Sequence, residues 1–132
     1  MRGEKIQGVL ATGIGMGTTF TQLDWVRKQF RKHLGIDPYP GTVNLIVETD
    51  AAQLSWQRVS ATPGIRIDNP GSGPNDCDAR CYKALLAGYI DAAIILPEVA
   101  GYPENQIELV AAIAVRPALG ISDGATVVIE TL

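Results

Sequence analysis

The chain has 132 residues, 46% of them hydrophobic and 19% charged, with a formal net charge of −3. This is the size of one domain, too apolar for a disordered chain and long enough to bury a core. The negative balance argues against general nucleic-acid binding, which draws on surplus Lys and Arg, and no apolar run approaches the roughly 20 residues of a membrane span.

Residues 6–11 read as a first strand, a short apolar run bounded by turn signals. Gly8 inside it marks either a bulge or a close approach of another backbone. Thr12-Gly13-Ile14-Gly15-Met16-Gly17-Thr18-Thr19 follows, with glycines at alternate positions that free the backbone to turn. A helix comes next. Thr21 can cap it, and Leu23, Val26, Phe30 and Leu34 form one apolar stripe at spacings of three and four. Gly35 is its natural stop.

Ile36-Asp37-Pro38-Tyr39-Pro40-Gly41 is a rigid turn. Residues 42–49 then read as a strand, with Thr42, Asn44 and Ile46 on one face and Val43, Leu45 and Val47 on the other. Residues 50–61 show no clear pattern. Six Pro and Gly residues between 61 and 76 indicate loop around a short strand at 65–67. Further strands are expected at 80–86, 89–96, 107–115 and 126–131, with a helical turn at 116–119. Asp123-Gly124 makes the turn into the last strand. Many short strands and one main helix, with no repeat, predict a single mostly β domain over 1–132, a small and mostly antiparallel barrel.

Four features could carry chemistry. The run Gly13, Ile14, Gly15, Met16, Gly17, Thr18 could form a nest of backbone N–H groups for an anion. It lacks the Gly-Lys-Ser/Thr of a phosphate-binding P-loop and the third glycine of a dinucleotide fingerprint, so by itself it reads more simply as a tight turn. Thr42 and Asn44 offer a hydroxyl and an amide oxygen from one strand face, neutral hard donors suited to a magnesium ion that takes its charge balance from phosphates. Without other context they are polar residues on a solvated face. Glu108 lies among Ile107, Leu109, Val110, Ala111 and Ala112, where a carboxylate either faces water or serves as a general base; Glu98 and Glu104 are weaker competitors. Arg116 could reach phosphates or a nucleobase, or be a surface cation. Trp25, Tyr39, Tyr82, Tyr89 and Tyr102 could stack a planar ring, although core packing is the simpler role.

Cys77 and Cys81 are the only cysteines and His33 the only histidine, too few for a zinc site, which wants about four ligands. Two reduced cysteines and too short an N-terminal apolar stretch for a signal peptide imply a cytoplasmic protein. The sequence sets no oligomeric state.

The order of these pieces is more specific than any one of them. The glycine run, Phe20, the helix ending at Leu34-Gly35, and Pro38-Tyr39-Pro40-Gly41-Thr42-Val43-Asn44-Leu45 resemble the archaeal CTP-dependent riboflavin kinases. The resemblance resumes at Ile90-Asp91-Ala92-Ala93-Ile94-Ile95-Leu96-Pro97, continues through Ile107-Glu108-Leu109-Val110-Ala111 to Val115-Arg116, and closes at Leu119-Gly120-Ile121-Ser122-Asp123-Gly124. It implies a six-stranded cradle-loop barrel and transfer of the CTP γ-phosphate to the 5′-hydroxyl of riboflavin, giving FMN and CDP. It further implies that Gly13, Ile14, Gly15, Met16, Gly17 and Thr18 cover the nucleotide and that Thr42 and Asn44 ligate magnesium. By the same resemblance Glu108 contacts and deprotonates the ribityl hydroxyl, and Ala114, Val115, Arg116 and Pro117 form a second nucleotide-contacting stretch. The chain departs from the family pattern at Thr18 and Ala114, where basic or polar residues are common, and at Ala100, which replaces a Thr expected at the flavin phosphate. Those departures leave open a non-catalytic nucleotide or flavin binder, or a kinase for another small alcohol.

Overall fold

The computed structural model describes residues 3–11, 24–39, 42–67, 79–98 and 102–132. The elements, in chain order, are β1 (Lys5–Ala11), α1 (Asp24–Gln29) running on into a π-helical turn (Phe30–Leu34), β2 (Val43–Ile46), α2 (Asp50–Ser60), β3 (Ile65–Ile67), β4 (Ala79–Leu86), β5 (Ile90–Pro97), β6 (Gln106–Ala111), α3 (Val115–Leu119) and β7 (Thr126–Thr131). The glycine run from Gly13 to Thr18, the Thr21 cap, Leu23, Pro40, Gly41, Cys77 and Ala100 lie outside the described residues.

Among the described residues every strand pairing is antiparallel. The order β4-β5-β6-β2-β1-β7 closes on itself because β7 also pairs with β4, placing Leu85 opposite Glu130. β3 hangs on β4 outside this ring of six strands. Closure leaves the ring without free edges, and alternation then assigns each side chain to the inside or the outside. Ile6, Leu10, Val43, Leu45, Leu86, Ile94, Ile107, Leu109 and Ile129 fill the interior. α2 covers it through Ala52, Trp56 and Val59, and Trp56 meets the Tyr82 ring edge-on at 6.5 Å. A second core lies on the outer face, where Phe30, Leu34 and Ile36 cover Cys81, Ala93, Ile95 and Val110.

The expectation of one main helix is corrected: α2 has 11 residues in the stretch where no pattern was read. Its stripe is short, Ala52, Trp56 and Val59, but its start is well marked. The Thr49 hydroxyl accepts the Ala52 N–H at 3.1 Å, and Asp50 meets the positive end of the helix dipole. The strand expected over 107–115 ends at Ala111, because Ala112 turns to donate to the Asp91 carbonyl and Val115 already starts α3. The strand expected over 42–49 is confined to Val43–Ile46. Gly35 does end the first helix, in the left-handed region at φ 68°.

Gly8 is explained by close approach. The β1 register runs through it without a bulge, and a Cβ there would sit 2.8 Å from the Leu45 Cβ across the ladder. Gly8→Ala should therefore lower stability by about 1–3 kcal/mol through overpacking, read as a lower urea midpoint at unchanged slope. An unchanged midpoint would mean that β1 and β2 separate freely at this point.

Candidate active site

The site is built by the register of two strands. Across the β2–β6 ladder Val43 faces Leu109, Asn44 faces Glu108, Leu45 faces Ile107 and Ile46 faces Gln106. Val43, Leu45, Ile107 and Leu109 belong to the barrel interior, so Asn44, Gln106 and Glu108 are turned to the outer face. Thr42, immediately before β2, shares that parity. On the far side of Glu108, Ile95 of β5 is its partner and belongs to the outer core. Thus Thr42 and Asn44 lie on one surface with Glu108, which is 64 residues beyond Asn44 in the chain.

Asn44 is only 6% exposed, so it is not a polar residue on a solvated face. A buried amide needs partners, and Gln106 Nε2 donates to its Oδ1 at 3.2 Å. Gln106 Nε2 also reaches the Tyr102 hydroxyl at 3.5 Å, and that hydroxyl donates to Glu108 Oε1 at 2.5 Å. The chain of donation runs from one amide in both directions and ends on the two groups that the sequence singled out. Burial, and after it the hydrogen bond to the Glu108 carboxylate, holds the Tyr102 phenol well above the ordinary tyrosine range. Tyr102 is thus a neutral donor at physiological pH. It occupies one oxygen of Glu108 and leaves the other for a proton donor from outside.

Two pockets adjoin this surface at opposite ends. One, of about 170 Å³, is lined by Tyr39, Thr42, Ile113 and the whole stretch Ala114, Val115, Arg116 and Pro117. The structure therefore unites Thr42 with the four residues assigned to a nucleotide. It is smaller than the roughly 300–1,000 Å³ of whole-ligand sites, so it suits one part of a ligand. The other pocket, of about 490 Å³, lies between α2 and the end of β5, lined by Trp56, Arg80, Glu98, Tyr102 and Glu104 among others. Tyr102 belongs both to this wall and to the hydrogen-bond chain.

The donor set fits magnesium of one kind only. Among the described residues no group of three His, Cys, Asp or Glu side chains could hold a metal ion. A hydroxyl at 42 and an amide oxygen at 44, whose second lone pair is left by Gln106, fit an ion that arrives with its own phosphate ligands.

Other expectations are redistributed. Arg116 is committed: its Nη2 lies 2.7 Å from Asp123 Oδ1 and 3.3 Å from the Ala11 carbonyl oxygen. Arg27 and Arg31 both pair with Asp37. Glu98 pairs with Arg66. Tyr82 is a core residue whose hydroxyl donates to the Thr62 carbonyl, and Tyr39 and Tyr89 are exposed. Burial pushes the Cys81 thiol up to about 12, which rules it out as a nucleophile at neutral pH. Sequence reasoning gave Gln106 no role and Tyr102 only a stacking one. The available signal was that Gln106 and Glu108 share parity on one strand, with Tyr102 a turn upstream.

The fold and surface define a small closed β-barrel with a polar, partly buried pair opposed across one ladder on its outer face. The chain belongs to the family labelled CTP-dep_RFKase, described as Domain of unknown function DUF120, whose sequence model matches residues 10–131. It is 33% identical over 129 residues to the riboflavin kinase of Archaeoglobus fulgidus, covering 97% of this chain and 54% of that protein. It is 36% identical over 119 residues to the riboflavin kinase of Methanocella arvoryzae, covering 90% and 53%. Against the riboflavin kinase of Pyrobaculum calidifontis it is 34% identical over 128 residues, covering 96% and 59%. The chain thus spans a little over half the length of these curated relatives. No helix among the described residues is long and apolar enough to cross a membrane.

A pH dependence follows from Tyr102. Its folded pKa lies above its unfolded value of about 10, so its contribution is complete below that pH and is lost as pH rises beyond it. Denaturation at several pH values should show wild-type stability falling above about pH 10 more steeply than that of Tyr102→Phe. Parallel curves would mean that neither burial nor the hydrogen bond to Glu108 raises the Tyr102 pKa in the folded protein.

Proposed function

We propose that this domain is a CTP-dependent riboflavin kinase that transfers the γ-phosphate of CTP to the 5′-hydroxyl of riboflavin, giving FMN and CDP. The observation that carries the reading is the Asn44–Glu108 rung, with a pocket at either end of the surface it belongs to. Family membership and three riboflavin kinases among its relatives support it.

In this reading the small pocket by Thr42 takes one end of the nucleotide, bounded by Ala114, Val115, Arg116 and Pro117, and the run from Gly13 to Thr18 contributes backbone N–H groups. Thr42 and Asn44 would hold magnesium, which supplies charge neutralisation on the triphosphate when bound. The larger pocket receives the acceptor, and the ribityl chain passes Tyr102 to bring its terminal hydroxyl to Glu108. Alanine at position 100 adds no side-chain hydrogen bond to the product phosphate. Glu108 takes the hydroxyl proton on its free oxygen. The acceptor oxygen forms its bond to the γ-phosphorus as the bond to the β,γ-bridging oxygen breaks, and CDP leaves with that electron pair. Positioning and neutralisation do most of the work, and the base contributes about 10²–10⁴-fold.

The deciding assay incubates purified protein with riboflavin, magnesium and CTP or ATP and follows FMN. The expected result is FMN formed with CTP. Folded protein that binds CTP but forms no FMN with any nucleoside triphosphate would instead support a non-catalytic binder.

Glu108→Gln should lower turnover about 10²–10⁴-fold with nearly unchanged CTP affinity. Unchanged turnover would remove Glu108 as the base. In calorimetry, replacing Thr42 and Asn44 together with Ala should abolish the magnesium dependence of CTP binding. Persistent dependence would put the metal elsewhere.

A further inference from the structure

Arg116 is the cation that sequence reasoning directed at the nucleotide, yet among the described residues its side chain is held by Asp123 and Ala11. Its Nε and Nη2 both donate to Asp123 Oδ1, at 3.2 and 2.7 Å, and Nη2 also donates to the Ala11 carbonyl at 3.3 Å. Its own carbonyl accepts from the N–H groups of Gly120 and Ile121, so its backbone is fixed as well. The partners are themselves joined. Gly124 N–H donates to the Leu10 carbonyl and Leu10 N–H to the Ala125 carbonyl, each at 2.8 Å. The guanidinium therefore closes a three-way joint between α3, the turn at 123–125 and the last residues of β1. Ala11 is where the chain enters the glycine run, and Arg116 belongs to the wall of the pocket beside Thr42.

We infer that Arg116 is a positioning residue of the nucleotide site: with Asp123 it ties the exit of β1 to the 114–117 wall, and it does not serve as a ligand of the phosphates. This rests on the nucleotide-binding reading above and refines it. The planar fork is essential to the role. A guanidinium reaches a carboxylate and a backbone carbonyl from one plane, which a lysine ammonium on a flexible stem cannot match. The pair is partly exposed, with side chains 40% and 44% accessible, so its value lies in geometry more than in raw stability.

The two roles predict opposite signs for one substitution. If Arg116 touched phosphate, Asp123→Ala would remove a competing anion, free the cation and tighten CTP binding. As an anchor, the same change loosens the joint and weakens CTP binding, by about threefold or more. Arg116→Lys separates them again: it keeps the charge, so a phosphate ligand would retain most of its affinity, whereas an anchor loses about as much as in Arg116→Ala. The experiment is calorimetric titration of wild type and these three variants with CTP and magnesium, alongside amide hydrogen exchange on the ligand-free proteins. Weaker binding in Asp123→Ala and Arg116→Lys, with faster exchange at Leu10 and Gly124, is the expected result. Tighter binding in Asp123→Ala, wild-type affinity in Arg116→Lys, or unchanged exchange at both amides overturns the assignment. Wild type that binds no CTP would instead remove the nucleotide reading, and the exchange measurement would still decide whether the anchor exists.

Discussion

Everything proposed for this surface depends on the register of β2 against β6. Side chains on a strand alternate with a period of two, so a slip of β2 by one residue would send Asn44 into the barrel and Leu45 out of it, and a slip of β6 would do the same to Glu108 and Ile107. The sequence resists that slip through Val43, Leu45, Ile107 and Leu109, which are buried in the interior. Barrel closure resists it again, since β2 is also held by β1 and β6 by β5. The apolar core is thus what aims the polar pair outward.

The chemistry of the surface is economical in charge. The two neutral oxygens at 42 and 44 suit an ion delivered by the triphosphate, and Arg116, Arg27 and Arg31 are already paired with carboxylates. One amide, Gln106, donates toward both Asn44 and Tyr102, and the Tyr102 hydroxyl donates a hydrogen bond to Glu108. The residue that would hold the metal and the residue that would take the proton are therefore oriented by a common donor. Such shared support is what holds a reacting pair within the small tolerances that phosphoryl transfer demands.

Much of this could be read in advance, for identifiable reasons. The strand at 65–67 was legible because a short apolar run sat between Pro63-Gly64 and Pro70, that at 126–131 because Asp123-Gly124 turns into it, and Thr42 and Asn44 shared a face because period-two parity is local. The opposition of Asn44 and Glu108 was not legible from parity, because it is a pairing across 64 residues that only closure of the barrel sets. α2 was missed because its stripe is short and Gln53, Gln57 and Arg58 dilute it, while its cap at Thr49 was read as the end of a strand. The partners of Arg116 were not legible either, because a cation's partner is invisible until the turn bearing Asp123 folds back beside it.

The account's central claim is that the β2–β6 rung is where donor and acceptor meet. Manganese in place of magnesium, added at trace level with CTP to isotope-labelled protein, tests it directly through paramagnetic line broadening. The account predicts that the amide signals of Thr42, Asn44 and Glu108 broaden first, while those of Ala84 and Thr131, on the opposite seam of the barrel, persist. Broadening centred on Glu98 and Glu104, with Asn44 spared, would contradict it.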